Sequence, residues 1–437
     1  MKQTPQPYLI GVANVDVTPP AGSSLAGFAA RIEPSNDVYL PLRCVITAIT
    51  DRARSSTVLI VSIEWLGFYD NTDHVRRLIS TATGIPTDHI LLCGTHTHCG
   101  PPMRKKIDED RHGSIDLEFI DRVFGDIARA SAEAVASQKP TAVRAVSGWC
   151  GFAHSRRKPD GEGGIEWMPT LDAPHDHTVP VIIFEDDKGT PIHVLFSYAC
   201  HPTSSGPILQ IGGDYPGFAA RKIEETFNCS SAFLLGCAGD QKPYIPDPGR
   251  PAFPMYPIEA IRGLGEQLAA SVANAIRFGN SVPVTGPLTV LSRKLILRNE
   301  VMPRQVYESS LKAEQLFEQR WARHTLAILD RDKSPDRDLP FEIQALQFGQ
   351  DLLLVALAGE MSAEYGLRLV RELSHRFSFV WPIAYANEIV GYVPVERQYS
   401  EGGYEVLVNM QYLLRPGPLE RDSEERIFDT IGEILVD

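Results

Sequence analysis

Apolar positions along the 437-residue chain gather into short runs of strand length, separated by turn residues. The runs YLIGVANVDV, LRCVITAIT, TVLIVSIEW, HILLCGT, VPVIIFE, PIHVLFSYA, AFLLGCA, PLTVLSRKLIL, FEIQALQFG and DLLLVALAG are rich in Val, Ile and Leu. Several are too continuously apolar for either face to meet water. Between them, apolar residues recur at helical spacing over roughly 70–83, 117–137, 216–226, 257–277, 304–329 and 363–375. Adjacent strand runs mixed with helices predict the α/β class, with mixed β-sheets packed with helices; the pattern does not fix strand order.

Three segments read as loops or insertions: HSRRKPDGEGGIEWMPTLDAPHD (154–176), the proline-rich QKPYIPDPGRPAFPMYP (241–257) and the charged DRDKSPDRDLP (330–340). The last separates a long helical pattern from a strand. It marks a candidate subdomain boundary near 329–340 in what otherwise reads as a single domain spanning 1–437, without internal repeats.

Composition narrows the function classes. Hydrophobic residues make up 43% and charged residues 22%, enough for a large core and against wholesale disorder. A net charge of −13 with no basic run excludes a general nucleic-acid binder. No apolar stretch has bilayer-spanning length, and the N-terminus MKQTPQPYLIGVANVDVTPP lacks the basic start and apolar run of a secretory signal. The expectation is a cytoplasmic protein without stable membrane insertion. The seven cysteines are odd in number and none forms a CxxC pair, which fits neither a disulfide framework nor a zinc–thiolate site. They read as buried, reduced thiols.

Candidate chemistry lies where apolar runs end. In GTHTHCGPP, His96 and His98 follow a strand and precede a Gly-Pro turn. Extended residues two apart point the same way, so both imidazoles can converge on one point and bind zinc; the alternative is a pair of structural histidines. His201, in SYACHPTSSGPILQIGGDYPG, again ends an apolar strand, and Asp214 sits in the Gly-Gly-Asp turn before a helix. Asp214 reads as a helix N-cap or as the group fixing a ligand histidine's tautomer. Glu360, in LLLVALAGEMSAEYG, follows a strand and leads into a helix. It is either a first-turn carboxylate favoured by the dipole or a site residue at a strand's carboxyl end. Tyr392 and Tyr404 lie in the polar stretch YANEIVGYVPVERQYSEGGYE, where packing roles are equally open.

Taken in order, these contexts resemble the neutral ceramidase family over most of the chain. The family's THTHSGP motif is matched by Thr95-His96-Thr97-His98, with Cys99 for serine. Its strand ending in His before an Asp turn is matched by His201 and Asp214. Its Pro-Gly-Glu is matched by Ala358-Gly359-Glu360, and its Asn-x-x-x-x-Tyr by Asn387 and Tyr392. The resemblance implies one zinc bound by His96, His201, Glu360 and Tyr392, with His98 in the pocket as proton donor or substrate contact. An Asn-Arg element matched by Ser155-Arg156 implies Arg156 as a substrate-binding residue, and Asp240 and Asn387 enter as candidate substrate contacts from their matched motifs.

Two departures bear on substrate. Where the family places a catalytic serine, the run Gly239-Asp240-Gln241-Lys242-Pro243 carries Lys242, and the chain reads without the family's immunoglobulin-like C-terminal domain. A lysine there suits an anionic or polar group, or a developing oxyanion. The expectation is therefore a zinc-dependent hydrolase, an amidase-like enzyme acting on a small molecule other than ceramide. His98, Lys242 and Asp214 are its candidate catalytic residues. Action on a carbohydrate, lactone or ester, or a non-catalytic binding role on the same fold, are the alternatives, and a homo-oligomer is left open.

Overall fold

Strands buried on both faces must be covered on both faces, and the architecture follows from that requirement. The computed structural model describes residues 5–29, 31–104, 115–247, 249, 251–331 and 333–436. Among these, the strands form a nine-stranded sheet, a four-stranded sheet and three small ones. The large sheet runs Ser230–Leu235, Pro191–Tyr198, Thr178–Glu185, Lys139–Trp149, Tyr8–Asp16, Arg43–Asp51, Ser56–Ile63, Ile90–Gly94, with Val282–Val284 paired to Lys139–Trp149. The smaller runs Leu288–Arg298, Asp338–Phe348, Leu352–Leu357, Val380–Ile383. Both are mixed, as expected: Ser56–Ile63 with Ile90–Gly94, Pro191–Tyr198 with Ser230–Leu235, and Leu352–Leu357 with Val380–Ile383 are parallel pairs.

Alternation along single strands shows the layering. Leu352, Leu354 and Ala356 join Ile10, Val45, Ile60 and Leu91 in a core between the two sheets. Leu353, Val355 and Leu357 point the other way, into the core shared with helices Ala363–Leu373 and Ser423–Ile434. Val194 and Phe196 likewise face helices Leu117–Ala136, Asp214–Phe227 and Ile258–Phe278 on the outside of the large sheet. The result is a two-sheet sandwich with helices on both outer faces.

Three expectations need correction. The centre of the large sheet includes Lys139–Trp149, whose pattern KPTAVRAVSGW is not apolar enough to read as a strand. Its Arg144 is accommodated by Glu185 at 2.9 Å and the carbonyl of Ile276. The segment 154–176 is not simply a loop: Ala153–Pro159 and Ile165–Thr170 form a hairpin closed by the Gly-rich turn. The long helical pattern 304–329 is two helices, Arg304–Ser310 and Leu316–Leu329. Each is tied to the same later segment, through Tyr307 to the Pro416 carbonyl (2.7 Å) and Trp321 to the Arg415 carbonyl (2.5 Å). The stretch 329–340, of which Asp332 lies outside the described residues, leads from this pair into the strand Asp338–Phe348.

The piece of fold that builds the site is Ala384–Asn387, which follows the strand Val380–Ile383. It runs between two strands of the large sheet: Ala384 N–H donates to Leu235 O (2.9 Å), Gly94 N–H to Tyr385 O (3.2 Å) and Asn387 N–H to Leu92 O (2.7 Å). The carboxyl ends of strands from both sheets thereby meet along one seam, where sheets of this kind place ligands.

Candidate metal centre

His96 lies two residues past the strand Ile90–Gly94, with its N–H bonded to Trp65 O at 2.9 Å. Its φ is +65°, a left-handed conformation costly for a side-chain-bearing residue and found where surroundings enforce it. The convergence of His96 and His98 is therefore not the same-face alternation of an extended strand. A sharp backbone turn at His96 produces it, and the rings end 5.1 Å apart. His201 follows the strand Pro191–Tyr198 and is anchored by its N–H to Gln241 O. Glu360 opens a two-residue strand paired in parallel with Tyr392–Val393, so that Glu360 and Tyr392 are direct neighbours. Gly239 lets this pair approach the preceding turn: a Cβ there would lie 2.5 Å from Glu360 O.

The imidazoles are oriented from behind. His96 Nδ1 is 2.8 Å from Leu66 O and His201 Nδ1 is 3.0 Å from Ala238 O. A carbonyl only accepts, so both Nδ1 atoms carry a proton, which leaves Nε2 of each ring as the atom available to a metal. Both Nε2 atoms face the same carboxylate oxygen, with Glu360 Oε2 3.4 Å from His96 Nε2 and 3.5 Å from His201 Nε2. Tyr392 Oη is 3.5 Å from His201 Nε2. The Tyr385 ring, from the seam, packs 4.4 Å from His96 and 5.6 Å from His201. Burial, reinforced by His96, pushes His201 well below the ordinary imidazole value, so it is neutral, as a ligand must be.

Glu360 Oε2 is shut from solvent and has no hydrogen-bond partner, and both ring nitrogens of His98 are in the same condition. Two imidazole nitrogens facing an unsatisfied carboxylate oxygen are costly unless a cation lies among them. The donor set thus fits a divalent metal. One ring nitrogen from each of His96, His98 and His201 lies within 4.8 Å of the other two, so this buried three-histidine cluster could hold an ion.

The cluster forms the floor of a cavity of about 280 Å³ also lined by Gly27, Phe28, Arg156, Trp167, Lys242 and Tyr404. Arg156 donates to Glu405 (2.7 Å) and stacks on Trp167, its guanidinium carbon 4.4 Å from the ring centre. Lys242 donates to Thr203 Oγ1 (3.0 Å), and burial together with the Arg156 charge brings its pKa down to about 8. Gly27 and Phe28 wrap His98: the Phe28 ring is 4.9 Å away, and Arg31 holds the His98 carbonyl at 2.8 Å.

Eight of the residues singled out from sequence line this cavity: His96, His98, Arg156, His201, Lys242, Glu360, Tyr392 and Tyr404. Three do not, and their expected roles are corrected. Asp214 orients neither imidazole; its carboxylate is filled by Ser204 N (2.9 Å), Ser204 Oγ (2.6 Å) and Tyr215 N (2.6 Å), which fixes the turn after His201. Asp240 accepts from Ala363 N (2.9 Å) and Gln398 Nε2 (3.1 Å), capping a helix outside the cavity lining. Asn387 joins Leu92 N (3.1 Å) to Gln344 Oε1 (3.1 Å) and belongs to the seam. Gly27, Phe28, Trp167 and Glu405 escaped sequence reasoning. The LAGFAARI segment offers an exposed-looking Gly-Phe as its signal, and Trp167 the lone aromatic in a Gly-rich loop.

The fold and site together define a neutral ceramidase-like α/β protein with a buried histidine cluster. No family model matches the chain. Neutral ceramidases B and A of Dictyostelium discoideum are 25% identical to it over 232 and 237 residues, covering 51% and 52% of this chain. The matched stretch spans about a third of each relative, 32% and 33%. The crystal structure of neutral ceramidase from Pseudomonas aeruginosa superposes with a TM-score of 0.72 over 92% of this chain and 71% of its own, at 18% identity. A ceramidase complexed with C2 gives 0.71 over 92% and 72%, at 17% identity. The chain is a distant homologue of the neutral ceramidases and has their fold. Among the described residues, no helix is long and apolar enough to cross a membrane.

Proposed function

We propose that this chain is a zinc-dependent hydrolase that cleaves an amide or related polar bond of a small molecule. The observation carrying the proposal is the convergence of His96 Nε2, His201 Nε2 and the unpartnered Glu360 Oε2. These three would hold the ion with Tyr392 beside them, a nitrogen and oxygen set that suits zinc. A zinc ion so held supplies Lewis acidity, polarising a carbonyl oxygen and making water more acidic.

His98 is set apart from the other two imidazoles. A ligating histidine has its second ring nitrogen held by a partner, as His96 and His201 do through Leu66 and Ala238. Neither nitrogen of His98 is held. Burial, followed by the charges of its neighbours, keeps His98 well below the ordinary imidazole value. It is thus neutral and able to take a proton from the attacking water. It then passes that proton to the leaving nitrogen as the carbon–nitrogen bond breaks. Arg156 and Lys242 flank the cavity and orient the substrate.

Elemental analysis of purified protein should give about one zinc per chain, as expected of two imidazoles and a carboxylate converging on one point. A chelator should abolish hydrolysis of short acyl amides, and added zinc should restore it; esters, lactones and glycosides in the same assay define the bond cleaved. Metal-free protein that still turns substrate over would sink the proposal.

Gly27 gives a narrower check. Its φ is +98°, and a Cβ there would run into the His98 ring. Gly27→Ala should lower kcat/KM by about 10-fold or more, because displacing an acid–base group by an ångström has effects of that order or larger. Zinc content should be unchanged. Wild-type kinetics in this variant would show that the ring's position is immaterial.

A further inference from the structure

We propose that the substrate carries a carboxylate and that Lys242 is the residue that binds it. This rests on reading the cavity above the histidine cluster as the substrate site.

Lys242 sits on the short strand Gln241–Pro243, paired with the Ala153–Ser155 end of the hairpin that carries Arg156. Both side chains line the same cavity as His98 and Glu360. Their charges are handled differently. The Arg156 guanidinium is met by Glu405 at 2.7 Å and covered by the Trp167 ring, so its charge is offset. Among the described residues the Lys242 ammonium has one hydrogen bond, to Thr203 Oγ1, and lies 5.7 Å from the centre of the Phe253 ring. Among the described residues no carboxylate lies within 4.0 Å of it. The nearest candidate acid, Asp214, has its oxygens taken by Ser204 and Tyr215.

An ammonium has three N–H donors, so two remain for a ligand. A largely buried cation whose acidic neighbour Asp214 is out of ion-pair contact and hydrogen-bonded to Ser204 and Tyr215 is costly, and an anion entering the cavity lowers that cost. Among the described residues Glu360 is the one acidic side chain in the lining, and zinc would neutralise it. A neutral lipid amide offers this arrangement nothing. A single ammonium beside a hydroxyl suits a compact monoanion better than a phosphate dianion, which arginine forks or several backbone N–H groups usually bind. The class indicated is a small N-acyl compound with a carboxylate near the scissile amide.

The test compares binding of N-hexanoylglycine and N-hexanoylglycinamide to the zinc-loaded protein by calorimetry. Wild-type protein should prefer the carboxylate by about 30-fold, in the range of a charge-assisted hydrogen bond. In Lys242→Met the ratio of the two affinities should fall to within about threefold, and in Lys242→Arg it should return to about tenfold or more. Thermal unfolding checks that both variants are folded. No carboxylate preference in wild type, or a preference that survives Lys242→Met, overturns the proposal. So does tighter binding of N-hexanoyl-O-phosphoethanolamine than of N-hexanoylglycine. Carboxylate preference without turnover of either compound supports the lysine assignment and removes the hydrolase reading. Turnover without preference does the reverse.

Discussion

His201→Ala protein should purify with less than about a tenth of the wild-type zinc and lose on the order of 1,000-fold in hydrolysis, an increase of roughly 4 kcal/mol in the barrier. The loss is large because His201 serves the centre twice. Its Nε2 lies 3.5 Å from Glu360 Oε2, and its ring stacks parallel to Tyr392 with an interplanar angle of 7°. Alanine leaves Glu360 with His96 as the one described imidazole within 4.0 Å, and Tyr392 without its neighbour. Glu360→Gln should act in the same direction, since it keeps the shape but removes the charge. Metal content read by elemental analysis separates this outcome from general misfolding, provided thermal unfolding stays cooperative. Full zinc in His201→Ala would mean that the ion, if bound, sits elsewhere.

Glu405→Gln should destabilise the protein by about 3–5 kcal/mol, the cost of leaving buried charge uncompensated. Glu405 holds two guanidiniums, Arg156 at 2.7 Å and Arg157 at 2.6 Å, and all three side chains are almost fully buried. Arg157 also reaches Glu401 and the Gly402 carbonyl, so the cluster ties the hairpin under the cavity to the segment carrying Tyr404. Burial acts to raise the Glu405 pKa, but Arg156 and Arg157 outweigh it and hold the carboxyl below the ordinary value. A carboxyl depressed on folding stabilises the native state above its unfolded pKa, about 4.3 for glutamate. That contribution drains away as the pH falls through the folded pKa. Urea unfolding across pH should therefore show an acid-sensitive component in wild type that Glu405→Gln lacks. Equal stability of the two at pH 7 would contradict the account.

Much of the site was legible because chemistry-bearing residues stand where continuous apolar runs stop. Tyr198 closes a buried strand three residues before His201, and Leu357 closes another three residues before Glu360. Apolar continuity predicts such strand ends well, and strand ends are where ligands gather. What the pattern could not supply was backbone direction. His96 and His98 were correctly paired for the wrong reason, because a φ of +65° at a histidine leaves no trace in hydrophobicity. Side-chain partners were equally hidden. Asp214, Asp240 and Asn387 are polar residues in site-like contexts, and only coordinates reveal that backbone amides and amide side chains occupy them. Arg156 was read as a substrate contact, but its burial together with Arg157 was hidden, because it requires Glu405, far along the chain. The strand Lys139–Trp149 was missed for a related reason: its polar residues find partners inside the sheet.

The Ala384–Asn387 segment also sets the order in which a newly made chain can acquire its chemistry. During synthesis the two imidazoles emerge long before the carboxylate, and the residues that draw Leu235 and Leu92 onto a common line emerge later still. Contacts of such long sequence separation form late in folding. A polypeptide that has not yet reached Asn387 therefore lacks the complete site, and the histidines wait on that segment before the carboxylate is set between them.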